Sequence, residues 1–125
     1  MEPIANLEKY IRLEEGLGRV RGNRKLFATL LQSFLKSTYL EQICTEIEQA
    51  DMAKAAVTAH TIKGMTANLS LVGLSEASAH LEAQIKGGLI AEDGVEQFRE
   101  MYQSTINCVQ NIVVQLQESG DGGQS

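Results

Sequence analysis

Residues 51–72 read DMAKAAVTAHTIKGMTANLSLV, and this stretch decides the fold class of the chain. It contains no proline and one glycine, and its small and apolar residues recur at steps of three and four, which is the spacing of a buried helical stripe. The stripe consists of Met52, Ala55, Ala59, Ile62, Thr66 and Leu69. The spacing therefore predicts an amphipathic helix, capped by Asp51 and ended by Gly73, that packs one side into a helical core.

The other periodic segments predict further helices on both sides of this one. They are residues 4–10, 13–20, 24–49, 76–86 and 92–117, with Asn23 and Ser75 as candidate N-caps. The long segment 24–49 carries its apolar rhythm on Leu26, Phe27, Leu30, Leu31, Phe34, Ile43, Cys44 and Ile47. Short connections predict an all-α fold, an up-down-up-down four-helix bundle over residues 1–118 with a short extra N-terminal helix. Phe34, Ile62, Leu81 and Val109 are predicted at its centre, and residues 119–125 are predicted to be a disordered polar tail.

The composition of the chain argues against several classes of protein. The chain has 125 residues, 43% of them hydrophobic, and a net charge of −5, which argues against a nucleic-acid partner. We find neither an apolar run of membrane-spanning length nor a signal peptide, so we expect a cytoplasmic protein that does not bind membranes. Cys44 and Cys108 are predicted to be reduced, mostly buried thiols, with a disulfide between two helices as the alternative.

The orientation of His60 is the main question for function. A rotation of about 100° per residue places His60 about 140° and Gly64 about 180° from the centre of the buried stripe. Ala67 lies at about 120°, and Lys63 sits on the flank at about 80°. His60 is therefore predicted to face away from the core, whereas a lone histidine on a helix is ordinarily a core or casual surface residue.

The outward face of the same helix carries no charge. It consists of Val57, His60, Gly64, Ala67 and Leu71. Because a solvated helix face normally carries Lys, Glu or Gln, this strip is typical of a surface on which another protein docks close to the helix backbone. The alternative is a central helix that its own chain buries on most sides.

The motif His60-Thr61-Ile62-Lys63-Gly64 resembles the local pattern of the histidine-containing phosphotransfer (HPt) family of two-component phosphorelays. The resemblance continues through Thr66, Ala67, Leu69, Leu74 and Leu81-Glu82, and covers about residues 8–117. One position departs from the family pattern. A glycine common ten residues after the phosphoacceptor is Ser70 here, and Gly73 follows three residues later.

The resemblance implies a role for each site residue. His60 would accept a phosphoryl group from the aspartyl phosphate of a receiver domain and pass it to the aspartate of another receiver. Lys63 would offset the added charge, and Gly64 would keep the next turn open to the partner. Glu82 would be a polar neighbour of the histidine, with an ordinary surface glutamate as the alternative. The partners would be receiver domains of response regulators or hybrid sensor kinases, which would carry the magnesium ion, so no cofactor or metal is expected on this chain.

Other functions are less well supported by the residues. The chain has no Walker-type or other Gly-rich nucleotide motif, so it is predicted to be a phosphoryl carrier rather than a kinase. A helical adaptor that docks a signalling partner through the His60 face without phosphorylation is the first alternative. A metal-binding or catalytic bundle, the second alternative, would need convergent carboxylates or a Glu three residues before a histidine on facing helices. Val57 and Ala77 stand three residues before the two histidines. His80 is interpreted as a partly exposed surface residue.

Overall fold

The computed structural model describes residues 7–91 and 93–123, with side chains described as far as residue 118. The described residues form an all-helical structure with no strand, which confirms the predicted all-α class. Its elements are a 3₁₀ helix Leu7–Lys9, α1 Leu13–Arg19, α2 Arg24–Lys36, α3 Tyr39–Glu48, α4 Met52–Asn68, α5 Val72–Lys86 and α6 Gly94–Gly123. Residues 4–6 of the predicted first helix lie outside the described residues.

One hydrophobic core joins the helices. α4 packs along α5 and α2 along α6, while α3 contacts α4 and α5 contacts α6. All four residues predicted at its centre are buried, with at most 2% of their surface exposed: Phe34, Ile62, Leu81 and Val109. Leu26 and Leu30 were predicted to point inward but are 43% and 38% exposed, because each precedes a buried residue by one position, about 100° around the helix. Met52, the first residue of α4, is also exposed rather than buried.

The prediction of one long helix over residues 24–49 is wrong, because α2 ends at Lys36 and a separate helix, α3, begins at Tyr39. The Ser37 backbone is extended, and its hydroxyl donates to the carbonyl oxygen of Phe34 at 2.8 Å. The same hydroxyl lies 3.3 Å from the Tyr102 hydroxyl on α6. Continuing the apolar rhythm beyond Phe34 would need an apolar residue at position 37 or 38, and both are polar. The caps predicted at Asn23 and Asp51 are confirmed, since their side chains accept from the backbone N–H groups of Leu26 and Lys54.

Helix α4 ends at Asn68, several residues earlier than predicted. Ser70 adopts a left-handed backbone with φ of 58°. The N–H of Ser70 donates to the carbonyl of Ala67 and the N–H of Leu71 to that of Thr66, at 3.1 and 2.9 Å. These two bonds are those of a Schellman motif, in which glycine usually takes the left-handed position. The turn places the next helix against α4 and hence brings Glu82 towards His60.

The N-terminal region holds this turn in place from a distant part of the sequence. The Ser70 hydroxyl donates to Glu15 at 2.8 Å, and the guanidinium of Arg19 donates to the Ala67 carbonyl at 2.7 Å. The backbone N–H of Arg12 donates to the Ser70 carbonyl at 3.0 Å. The Arg19 contact adds a charged donor to a carbonyl at the C-terminal end of α4, and the other two contacts hold both the side chain and the backbone of Ser70. They stabilise a left-handed serine that would otherwise cost about 1 kcal/mol.

Helix α5 begins at Val72, so Gly73 lies inside a helix instead of ending one, and Ser75 is not an N-cap. A Cβ atom at Gly73 would collide with the carbonyl oxygen of Lys9, which shows how closely the N-terminal segment approaches α5. At the other end of the chain, α6 continues to Gly123. The predicted helix end near residue 117 is therefore wrong. Residues 119–123, predicted as part of a disordered tail, continue this helix, and residues 124–125 lie outside the described part.

Candidate functional site

The imidazole of His60 lies on the solvent side of α4. Its side chain is 66% exposed, while Ala59 and Ile62 on the same helix are fully buried. The outward orientation predicted from the helical rotation is the one that the structure shows. The ring is therefore open to an approaching molecule, and its contacts with the rest of the chain are made from one side.

A buried carboxylate on the neighbouring helix holds one nitrogen of that ring. The Nδ1 atom of His60 lies 3.1 Å from Oε2 and 3.5 Å from Oε1 of Glu82. Glu82 belongs to the inward stripe of α5, next to Leu81 and in line with Ser78 and Ile85, and its side chain is only 8% exposed. The interpretation of Glu82 as a polar neighbour of His60 therefore agrees with the structure better than that of an ordinary surface glutamate.

Two lysines share the same carboxylate. Lys63 Nζ lies 3.4 Å from Oε1 and Lys86 Nζ lies 2.9 Å from Oε2 of Glu82. The hydrogen bond from Lys86 is the largest influence and outweighs the desolvation of the carboxyl, so the pKa of Glu82 is lowered below its ordinary value of 4.5. Glu82 is thus ionised at neutral pH, and the cluster of His60, Lys63, Glu82 and Lys86 contains one anion that three donor groups surround.

The ionised carboxylate decides which ring nitrogen of neutral His60 is basic. A carboxylate can only accept hydrogen bonds, so the Nδ1 atom beside it must carry the proton. The lone pair of the neutral ring then lies on Nε2. Because the side chain is 66% exposed and Nδ1 faces Glu82, the nucleophilic nitrogen is the one directed away from the protein.

The surface next to His60 on α4 is open and uncharged. Val57 is 66% exposed, and Thr61, Gly64 and Ala67 are also exposed. A Cβ atom built at Gly64 would meet nothing within 4 Å, so this chain does not need a glycine there for its own packing. A glycine inside a helix costs about 0.5–1 kcal/mol relative to alanine, and no contact within the chain offsets that cost.

Leu71 was predicted to belong to this exposed face, and that prediction is wrong. The extrapolation assumed that the helix continues through residue 71, whereas α4 ends at Asn68 and the chain then turns. Leu71 becomes the residue before α5 and is fully buried in the core. The exposed strip, hereafter the His60 strip, therefore consists of Val57, His60, Thr61, Gly64 and Ala67.

Lys86 is the member of the cluster that the sequence analysis missed. It lies at the end of α5 with its side chain 65% exposed, and it forms the shortest ion pair in the cluster. A signal was present in the sequence, because a glutamate followed by a lysine four residues later is a favourable pair on a helix. That Glu82 itself lies on the buried stripe of α5 could also have been read from its spacing to Ser78 and Ile85.

The second histidine and the two cysteines are not members of this cluster. His80 is exposed on α5, and its Nε2 atom lies 3.0 Å from the side-chain amide of Gln84 on the same helix. Cys44 and Cys108 are not joined in a disulfide. Burial raises the pKa of both thiols, that of Cys108 to about 11, so both are protonated at neutral pH.

Two other kinds of site are absent from the part of the chain that the structure describes. Among residues 7–91 and 93–118, no group of three or more His, Cys, Asp or Glu side chains is arranged to hold a metal ion. None of the described helices is both long enough and apolar enough to span a bilayer.

A comparison of the sequence with known protein families identifies one family, and the matched residues include the His60 cluster. The family model of the Hpt domain matches residues 25–108, which is about two thirds of the chain and includes every member of the His60 cluster. No curated protein and no solved structure matches closely enough to add to this comparison. The chain therefore belongs to the Hpt domain family, which acts in phosphotransfer in two-component signalling.

Proposed function

We propose that His60 is the phosphoacceptor of a phosphorelay intermediate. It takes a phosphoryl group from the aspartyl phosphate of one receiver domain and passes it to the aspartate of another. The observation that carries the proposal is the bond between Nδ1 and the buried Glu82 carboxylate at 3.1 Å, which leaves the Nε2 lone pair in solvent. Exposure of the side chain at 66% supports attack by this atom on a phosphoryl group that another protein brings.

The transfer step needs no proton movement at the reacting nitrogen. The Nε2 lone pair forms the N–P bond while the P–O bond to the aspartate breaks, and the aspartate leaves as a carboxylate. The ring becomes positively charged because Nδ1 keeps its proton. The Glu82 carboxylate beside Nδ1 stabilises that charge, and the reverse steps deliver the phosphoryl group to the next aspartate.

Lys63 and Lys86 have the position to balance the phosphoryl group. Both ammonium groups lie within 3.4 Å of Glu82, and their side chains are 37% and 65% exposed. Long, partly exposed side chains of this kind can turn from the carboxylate towards a phosphoryl group of about −1.5 to −2 charge. In this proposal Lys63 offsets the charge that the phosphoryl group adds, and Lys86 assists it.

The His60 strip supports docking of a receiver domain. Its open turn at Gly64 lies one helical turn from His60, where a larger side chain would stand between the ring and the partner. In the proposed function, Val57 and Ala67 contact the partner and the receiver carries the magnesium ion, so this chain uses no cofactor of its own. We also propose a cytoplasmic location and an up-down-up-down arrangement of the four core helices α2, α4, α5 and α6.

Phosphorylation with a receiver domain tests the proposal directly. A receiver loaded with radioactive phosphate from a small phosphodonor should transfer an acid-labile, base-stable label to the wild-type chain. Nitrogen-15 NMR of the product should show the phosphorus on Nε2 and a proton on Nδ1. Label on Nδ1 would contradict the assigned tautomer. A chain that binds receivers but takes no label from any of them would instead favour the unphosphorylated adaptor.

A further inference from the structure

Glu15 on α1 is the centre of a small network that reaches the turn between α4 and α5. Its Oε1 atom accepts a hydrogen bond from the hydroxyl of Ser70 at 2.8 Å and lies 3.4 Å from the guanidinium of Arg19. Arg19 in turn donates to the carbonyl oxygen of Ala67 at 2.7 Å. Glu15 therefore holds the turn in two ways, directly through Ser70 and indirectly through Arg19.

Ser70 is the residue of this turn that most needs support. It is buried, and its backbone is left-handed with φ of 58°, a conformation that glycine adopts much more readily than serine. Glu15 is the acceptor that the structure shows for its hydroxyl, and a buried hydroxyl without an acceptor is unfavourable. Loss of Glu15 would therefore leave both an unsupported backbone conformation and an unpaired hydroxyl in the turn.

The same turn connects the two helices whose contact orients the imidazole. His60 lies ten residues before Ser70 and Glu82 lies twelve residues after it, which is about 15 Å and about 18 Å along the two helices. Packed helices can slide past each other by small amounts. A slide by the rise of one residue, about 1.5 Å, would misalign the 3.1 Å hydrogen bond between Nδ1 and the Glu82 carboxylate. A turn that a third helix holds in place limits such sliding.

We infer that Glu15 is a positioning residue for phosphoryl transfer, which holds Ser70 and thereby keeps α5 in the register at which Glu82 meets His60. The effect on transfer rests on the proposed function, whereas the effect on the His60 ring needs no partner. The family match begins at residue 25, so this support comes from a part of the chain that the family model does not cover. The site thus depends on a helix to which none of its four members belongs.

Three variants test the inference without changing the His60 cluster. Glu15→Ala removes the support of the turn. Its matched control is Glu14→Ala, the same change at the preceding exposed residue of α1, which forms no hydrogen bond or ion pair with the described part of the chain. The double variant Glu15→Ala/Ser70→Gly supplies a residue that takes the left-handed conformation unaided and has no hydroxyl to satisfy. Circular dichroism and thermal unfolding should show all three folded.

The measured quantities are the fraction of His60 with its proton on Nδ1, from nitrogen-15 NMR of the free protein, and the single-turnover rate of transfer from a phosphorylated receiver. Glu15→Ala should lower that fraction and slow transfer about threefold, whereas Glu14→Ala and the double variant should match the wild type. An unchanged tautomer in Glu15→Ala would overturn the inference at any transfer rate, and so would a loss that Ser70→Gly does not restore. A wild-type chain that takes no label would contradict the proposed function alone, since the tautomers of the three variants still decide the inference.

Discussion

His60 and His80 are both exposed histidines on helices that pack against each other, and they differ in what holds the imidazole ring. His60 contacts a buried carboxylate on another helix, and two lysines share that carboxylate. The polar partner of His80 is neutral, the side-chain amide of Gln84 one turn along its own helix. The difference teaches that exposure alone does not distinguish the two histidines. In the proposed function, the distinguishing features of His60 are an ionised partner that fixes the tautomer of the ring and two lysines that can balance the charge of a phosphoryl group on it.

The largest expected effect is the loss of phosphorylation on replacing one histidine and not the other. His60→Gln should abolish acid-labile label from a phosphorylated receiver, because it removes the exposed imidazole whose Nδ1 atom lies against the ionised Glu82 carboxylate. His80→Gln should take label at the wild-type rate, since that ring has no ionised neighbour. Gel autoradiography of the two variants beside the wild type gives the comparison. Label that persists in His60→Gln and disappears in His80→Gln would reverse the assignment.

The two glycines inside helices α4 and α5, Gly64 and Gly73, offer the second comparison. Gly64→Gln should slow transfer on the order of 100-fold, because a side chain beside His60 displaces the docked receiver from its reacting position. Gly64→Ala should raise the free energy of unfolding by about 0.5–1 kcal/mol, since a Cβ atom there meets nothing. Gly73→Ala should instead lower it by about 1–3 kcal/mol, because its Cβ collides with the Lys9 backbone.

Single-turnover kinetics measures the rate of phosphoryl transfer, and urea unfolding measures the free energy of unfolding. The expected pattern is a glycine that costs stability at position 64 and one that supplies stability at position 73. Wild-type transfer rates in Gly64→Gln would show that the open turn has no part in docking.

Neutralising the carboxylate beside His60 should have a smaller effect than removing the ring. Glu82→Gln replaces a charge-assisted hydrogen bond with a neutral one, a difference of about 1–1.5 kcal/mol, so transfer should slow about tenfold. The matched control is Glu76→Gln, the same change at an exposed position of α5 on the side of His80. Nitrogen-15 NMR should show His60 of Glu82→Gln losing its preference for the Nδ1–H tautomer. An unchanged tautomer together with an unchanged rate would mean that Glu82 does not orient the ring.

The smallest expected effect is on the pH dependence of stability. The pKa of Glu82 is lower in the folded chain than its ordinary value of 4.5, chiefly because Lys86 donates a hydrogen bond to the carboxylate. Such a group contributes stability that is fully present above its unfolded pKa and is lost as the pH falls through its folded pKa. The difference in unfolding free energy between wild type and Glu82→Gln should therefore shrink below about pH 4.5.

Urea unfolding at several pH values between about 3 and 7 measures that difference. Parallel curves for the two proteins over this range would contradict a carboxylate that is stabilised in its ionised form.

Local sequence determined the elements whose signals lie within a few residues. The three- and four-residue spacing of apolar side chains gave the helices α4 and α6 and the buried positions of Ile62 and Val109, and side chains three residues away gave the caps at Asn23 and Asp51. The same rotation placed His60 outside and Lys63 on its flank. These results follow because helix geometry fixes the direction of each side chain from its position in the chain.

The tertiary structure decided what depends on contacts between distant residues. The helix predicted to reach Gly73 ends at Asn68, because Glu15 and Arg19 stabilise a left-handed Ser70 that sequence alone disfavours. That earlier end buries Leu71 and sets α5 beside α4, so Glu82 and Lys86 come within reach of His60 and Lys63. A helix repeat shows which residues share a face of one helix, but the position of two helices relative to each other depends on the packing between them. The outward orientation of His60 therefore followed from the sequence, and Glu82 was named there as a candidate neighbour. The contact between the two side chains was decided by the packing of α5 against α4.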